Sequence, residues 1–229
     1  MYLIFCHPFD RDAIWLYLEL KKRSETVQLL AVDQVLMARE WTQSMENGNE
    51  FFVVTTKDGT TIKSGELELF FNRVQFVDAP LWRRAPESER EYVRSEMTAM
   101  LMSWLHQVQQ QCMMINPPFG QSLCGPPWYD AQWAKAAFEA GFQNVSFDKK
   151  LNNCEKMLVV GTEVISALNS ETVAERCIRL ARASRSQLCE VFMRDSGNTF
   201  VSATATPAFR AYGKVFLANL QQYLSRNKL

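Results

Sequence analysis

Phosphate-cradling loops are missing from this sequence. Its nine glycines are scattered, and neither GxGxxG nor GxxxxGK(S/T) occurs, which excludes the two common glycine-rich nucleotide cradles. Histidine is scarce, limited to His7 and His106, and there is no GxSxG elbow, so a Ser-His-Asp relay has little to draw on. None of the six cysteines (Cys6, Cys112, Cys124, Cys154, Cys177, Cys189) forms a CxxC pair or stands at ligand spacing with a histidine, and nothing resembles a zinc, haem or iron–sulfur site. Neither sign of charge is in excess, with 25 acidic and 25 basic residues, so no net field favours nucleic acid or an acidic membrane. No apolar run is long enough to cross a bilayer. The opening MYLIFCHPFDRD turns acidic too soon for a signal peptide. Together these absences predict a cytoplasmic protein whose cysteines are buried and reduced.

What is present is an ordinary globular composition, 47% apolar and 22% charged over 229 residues, enough for one large domain or two small ones. YLIFC (2–6), a helix from about Ala13 to Arg23 capped by Asp10 or Asp12, and VQLLAV (27–32) read as a β-α-β opening and a parallel sheet. FFVVTT and TTI flank an Asp-Gly turn and predict a hairpin. ELFFNRVQF (68–76) reads as a further strand, residues 87–111 as the longest helix with Tyr92, Glu96, Met100, Trp104 and Val108 on one stripe, and CMMIN (112–116) as a buried strand. After a helix ended by Gly141, KMLVV and EVISAL predict two antiparallel strands about a Gly-Thr turn. A helix from Ser170, strands on either side of Asp195–Asn198 and a final helix from Pro207 complete the chain. His7 reads as a polar residue in a turn and His106 as a partly exposed helix residue.

Several segments, in this order, resemble the ATP-grasp family, in the branch of ribosomal-protein glutamate ligases and peptide-modifying maturases. LIFCHPFDRDAIWLYLEL is similar to the family's opening strand, acidic turn and helix. LFFNRVQF resembles the strand that ends in an arginine pair, EYVRSEMTAMLMSWL the helix carrying an acid, and MINPP the asparagine-proline strand end. WYDAQWAKAAFEAGF looks like the helix leading into the nucleotide-binding half, KMLVVGTEVISAL like a later hairpin, and LCEVFMRDSGNTFVSATATPAFRAYG like the paired metal-binding strands. The resemblance implies an α/β fold: an amino-terminal parallel-sheet, pre-ATP-grasp-like lobe over residues 1–147, and over 148–229 a small α+β lobe resembling a truncated ATP-grasp domain.

The departures from the family pattern are in its machinery. In the family, a long segment with phosphate-contacting lysines separates the A..A..GF helix from the VVG hairpin; here QNVSFDKKLNNCE (143–155) joins them, too short for several strands. Lys149 and Lys150 are adjacent, so in a strand they would point to opposite faces. Glu190 matches the family's first metal carboxylate, but the later Glu-x-Asn-Pro reads Thr204-Ala205-Thr206-Pro207, and threonine hydroxyls add no charge for a hard cation.

The resemblance therefore implies a non-catalytic relative that uses no ATP-Mg and no other cofactor, acting as a binding or assembly subunit. An amide ligase with a rebuilt site and a small-ligand module remain the alternatives. Candidate ligand-binding residues are Arg73 and Asn116 at strand ends, Arg94 and Glu96 on the long helix, and Glu190; a purely structural pairing of the arginines and glutamate is the competing account. Loss of a subdomain predicts a bare sheet face carrying Val159, Val164, Val191, Met193 and Val201. That predicts a homo-oligomer or a complex with a full-length ATP-grasp protein.

Overall fold

The computed structural model describes residues 1–23, 25–46, 49–77, 85–147 and 151–227. Lys149 and Lys150 lie outside them. The chain divides into two compact units, Met1–Cys124 and Gly125–Leu229, so the division falls ahead of the expected 147/148. The reason is the helix α4 (Asp130–Ala140), which packs through Trp133, Ala136 and Ala137 into the apolar core of the second unit.

The first unit holds a four-stranded parallel sheet in the order β2-β1-β6-β7, made of β1 (Tyr2–Cys6), β2 (Val27–Ala31), β6 (Leu69–Asn72) and β7 (Met113–Ile115). Helix α1 (Arg11–Lys22) follows β1 and is capped by Asp10, whose Oδ1 accepts from the amides of Asp12 and Ala13 at 3.0 Å each. The short α2 (Val32–Leu36) ends β2. A separate antiparallel sheet comprises β3 (Glu40–Glu46), β4 (Asn49–Thr55) and β5 (Thr61–Lys63). Its β4–β5 turn is the expected Asp-Gly hairpin, whereas β3, polar and largely exposed, shows no alternating apolar pattern to mark it. Helix α3 spans Glu87–Gln111. Only its second half is buried, through Leu101, Trp104, Leu105 and Val108, while Tyr92 and Glu96 of the expected stripe face solvent. Trp104 sits at the centre of the core, with the rings of Phe5, Trp41, Phe52 and Phe70 between 5.4 and 5.9 Å away, all edge-on.

The second unit is built on the sheet β10-β9-β11-β12-β8. Its long strands β9 (Glu155–Val160), β10 (Glu163–Ser166), β11 (Leu188–Arg194) and β12 (Thr199–Thr204) are antiparallel, and the two-residue β8 (Asn144–Val145) runs parallel to β12. Helices α4 and α5 (Glu171–Ala183) bury Met157, Val159, Val191 and Met193 completely. The sheet face expected to be bare is thus covered within the unit: Val159, Val191 and Met193 are fully buried, Val164 packs against the same cluster, and Val201 is half-buried. Glycine at the β9–β10 turn is required twice over, since Gly161 has φ +62° and a Cβ there would lie 2.2 Å from the Tyr223 ring of α6 (Gly213–Arg226). The expected final helix opens as a 3-10 turn over Phe209–Tyr212 and becomes α-helical only from Gly213. Among the described residues no helix is long and apolar enough to cross a membrane, and all six cysteines are free thiols.

Candidate functional site

Strand order reverses between β1 and β6, because one crossover leads outward to β2 and the other to β7. Open parallel sheets bind ligands outside the carboxyl ends of the strands at such a point. Here those ends carry Cys6, Asn72, Arg73 and Asn116, with His7 and Asp10 in the loop between β1 and α1. Arg73 is buried and directed at Asp10: its Nε donates to Oδ2 at 2.7 Å and its Nη2 to Oδ1 at 3.3 Å. The carboxylate that caps α1 therefore also neutralises the guanidinium. Beside this pair, Asn72 Nδ2 donates to the carbonyls of Asn116 (3.2 Å) and Leu123 (2.6 Å), while its Oδ1 accepts from the Val74 amide. Asn116 is 1% exposed and holds φ +53°, a left-handed conformation that asparagine tolerates better than most residues. Burial, with the Asp10 charge second, pushes the Cys6 thiol up to about 12, and burial does the same to Cys124, so neither supplies a thiolate.

Of the two expected residues on α3, Arg94 is exposed and its Nη2 donates to Glu91 Oε1 on its own helix. It lines a groove of about 490 Å³ with Gln75, Phe76, Thr98 and Met102. Glu96, two positions on, is exposed and does not line that groove. Arg73 and Asn116 thus share one strand-end network through Asn72, whereas neither Arg94 nor Glu96 makes a hydrogen bond to it. Sequence reasoning missed the partner roles of Asp10 and Asn72. The adjacency of Asn72 and Arg73 at a strand end was the available signal for the latter.

In the second unit Glu190 stands directly opposite Thr204 across the β11–β12 ladder. Thr206 follows, its amide donating to Thr204 Oγ1 at 3.2 Å and its hydroxyl 3.4 Å from that of Thr204. Glu190 is 3% exposed, and Tyr212, from the 3-10 turn after β12, donates its hydroxyl to Glu190 Oε1 at 2.8 Å. Burial first, then the Glu190 charge and this bond, push the Tyr212 phenol far up, so it stays a neutral donor. Nothing in the spacing of Tyr212 from Glu190 announces the pair. The donor set here is one carboxylate, already bonded, and two hydroxyls. That set does not fit magnesium, which takes carboxylates and phosphates in a near-octahedral shell. Among the described residues no group of three or more His, Cys, Asp or Glu side chains is placed to hold a metal.

No protein-family model matches the sequence, and no curated protein matches it. Solved structures do. A RiPP-associated ATP-grasp ligase from Chryseobacterium gregarium, in complex with ADP and a leader and core peptide, superposes with a TM-score of 0.70 at 11% identity, covering 100% of this chain and 100% of that one. The macrocyclase MdnC from Microcystis aeruginosa, bound with its precursor peptide MdnA, gives 0.68 at 9% identity, covering 97% of this chain and 98% of the other. The ATP-grasp ligase PsnB with a minimal precursor, Mg and ADP gives 0.67 at 13%, over 97% and 98%. The chain has an ATP-grasp-like fold. The Glu190–Thr204 register lies where the sequence resemblance put the family's metal-binding strands.

Proposed function

We propose that this chain is a non-catalytic ATP-grasp-like protein that acts as a binding or assembly subunit in peptide modification. The observation that carries the reading is the state of Glu190: the one carboxylate at the expected metal position faces Thr204 and is bonded by the Tyr212 hydroxyl. A divalent ion there would have to displace a half-buried phenol and would find no second carboxylate opposite. The connection from α4 to β9 supports the same reading, since its described residues hold only the two-residue β8 and a single 3-10 turn. The peptide context comes from proteins of similar fold, which hold leader, core or precursor peptides. A subunit of this kind works beside a complete ATP-grasp ligase. A homo-oligomer is the weaker form of the idea, because the sheet face that called for one is covered by α4 and α5.

Isothermal titration with MgATP tests the reading. Heat no larger than dilution at millimolar nucleotide is expected, and micromolar affinity overturns it. The end-to-end match with an ATP-grasp ligase favours one other reading, a carboxylate–amine ligase with a rebuilt site. ATP hydrolysis that depends on an added peptide would establish that reading instead.

A further inference from the structure

We propose that the groove between α3 and residues 75–77 is a docking site for an extended peptide segment bearing a carboxylate; this rests on the binding-subunit reading above and names where the ligand sits. Of the four polar candidates in the first unit, Arg73 and Asn116 are engaged inside the fold, and Glu96 lies off the groove. Arg94 alone combines exposure with a cavity, of about 490 Å³. The helical wall is a single stripe, Glu91, Arg94, Ser95, Thr98 and Met102, at intervals of three and four that keep one face in line. Eleven positions at 1.5 Å give it a length of about 16 Å, which matches about five residues of extended chain. The opposite wall is Gln75, Phe76 and Val77, with Gln121 nearby.

The lining fits a peptide main chain. Gln75 and Gln121 each offer a carboxamide with both donor and acceptor, Ser95 adds a hydroxyl, and Thr98 Oγ1, which donates to the Arg94 carbonyl of its own helix at 2.7 Å, keeps acceptor capacity, so alternating peptide N–H and C=O groups can be met in turn. Phe76, 55% exposed, and Met102 give apolar surface for a neighbouring side chain. Arg94 supplies the charge selection: Glu91 takes one of its N–H groups, and a guanidinium carries five. Being an exposed i,i+3 pair, that contact is weak enough to be shared with an incoming carboxylate.

The test is fluorescence anisotropy on the full chain with two labelled pentapeptide pools, identical in randomised Ala, Val, Leu and Phe positions but with Glu or Gln at the centre. The Glu pool is expected to bind at least fivefold tighter. Arg94→Gln should bring the two pools to equal affinity while the circular dichroism spectrum is unchanged. Thr98→Lys, which fills the groove, should weaken both pools at least tenfold. Equal affinity of the two pools for the wild type overturns the proposal, as does no binding of either at millimolar peptide, or a pool preference that survives Arg94→Gln. A parallel MgATP titration keeps the two ideas apart: nucleotide binding would end the non-catalytic reading without touching the groove, and a peptide failure without nucleotide binding would end only the groove assignment.

Discussion

The two polar clusters that hold Arg73 and Glu190, one in each unit, are both bonded by the protein's own side chains, but by different means. At the strand ends of the first unit a cation is neutralised by a carboxylate, with two contacts at 2.7 and 3.3 Å. On β11 a carboxylate is held by a neutral phenol through one bond of 2.8 Å. An ion pair brings two desolvated charges that depend on each other; a carboxylate with a phenol leaves a charge still in place after its donor is removed. The first arrangement behaves as architecture, tying β6 to the start of α1. The second leaves a buried carboxylate held by a single neutral donor. If that contrast is correct, substitutions should rank in a definite order.

The largest effect is expected from Asp10→Ala, which strands the buried Arg73 guanidinium and removes the α1 cap. Breaking one side of a buried pair costs about 3–5 kcal/mol, to be read from urea unfolding. The double variant Asp10→Ala with Arg73→Met should recover much of that loss, since no charge is then left unpaired. A loss below about 1 kcal/mol for the single variant would mean that Arg73 finds another anion, and the strand-end network would again be open to ligand.

Next comes Tyr212→Phe. Losing a hydrogen bond to a charged acceptor costs about 1.5–3 kcal/mol. It also changes the alkaline limb of stability. The Tyr212 phenol is shifted upward from its ordinary value of 10.0 by burial and by Glu190. Below about pH 10 both folded and unfolded chains keep the proton, so the contribution is complete; above it the unfolded chain alone ionises and stability falls. Unfolding measured from pH 8 to 11 should therefore fall less steeply at the alkaline end in Tyr212→Phe than in wild type. Parallel curves would remove Tyr212 from the account.

Much of this contrast was legible in the sequence, though not all of it. The β-α-β opening, the Asp-Gly hairpin, the α3 limits and the β11–β12 pair follow from apolar runs and turn residues, but the Asp195–Asn198 turn alone would set Glu190 against Ala203, and a bulge at Phe192/Met193 shifts the ladder by one residue to Thr204. What failed were inferences needing a partner from elsewhere in the chain. The bare sheet face is drawn from the loss of a subdomain, whereas Trp133 and the alanines of α4, counted in the 1–147 lobe, pack on that sheet. The α3 stripe was drawn by periodicity alone, yet Tyr92 and Glu96 meet no opposing core and stay in solvent. Asp10–Arg73 and Glu190–Tyr212 span 63 and 22 residues, and no local spacing rule reaches that far.

Thr204→Glu sharpens the comparison from the other side. It sets a second carboxylate directly across from Glu190, and like charges in a cross-strand pair cost about 1 kcal/mol or less. If the missing charge is what keeps magnesium away, the variant should melt a few degrees lower in chelator and regain that loss in millimolar MgCl2, while wild type shows no difference between the two buffers. A variant indifferent to magnesium would point to the Tyr212 bond as the stronger barrier, and combining it with Tyr212→Phe would then be the informative step.

The smallest effect is expected at Arg94, and its smallness is what discriminates. Had this arginine tied α3 to the sheet, its removal would strip an anchor from a buried interface. Instead it pairs with Glu91 one turn back on the same helix, and both side chains are well exposed. Such pairs contribute a few tenths of a kcal/mol, and alanine is at least as good a helix former as arginine. Arg94→Ala should therefore change the urea midpoint by no more than about 0.5 kcal/mol equivalent. The Arg73→Met variant, in a pair whose side chains are 8% and 13% exposed, should not be neutral, because it leaves Asp10 without its cation while keeping the cap. Equal losses at the two arginines would collapse the distinction between an internal network and an available groove; a neutral Arg94 that nonetheless alters peptide affinity would place binding and folding on different residues of the same unit.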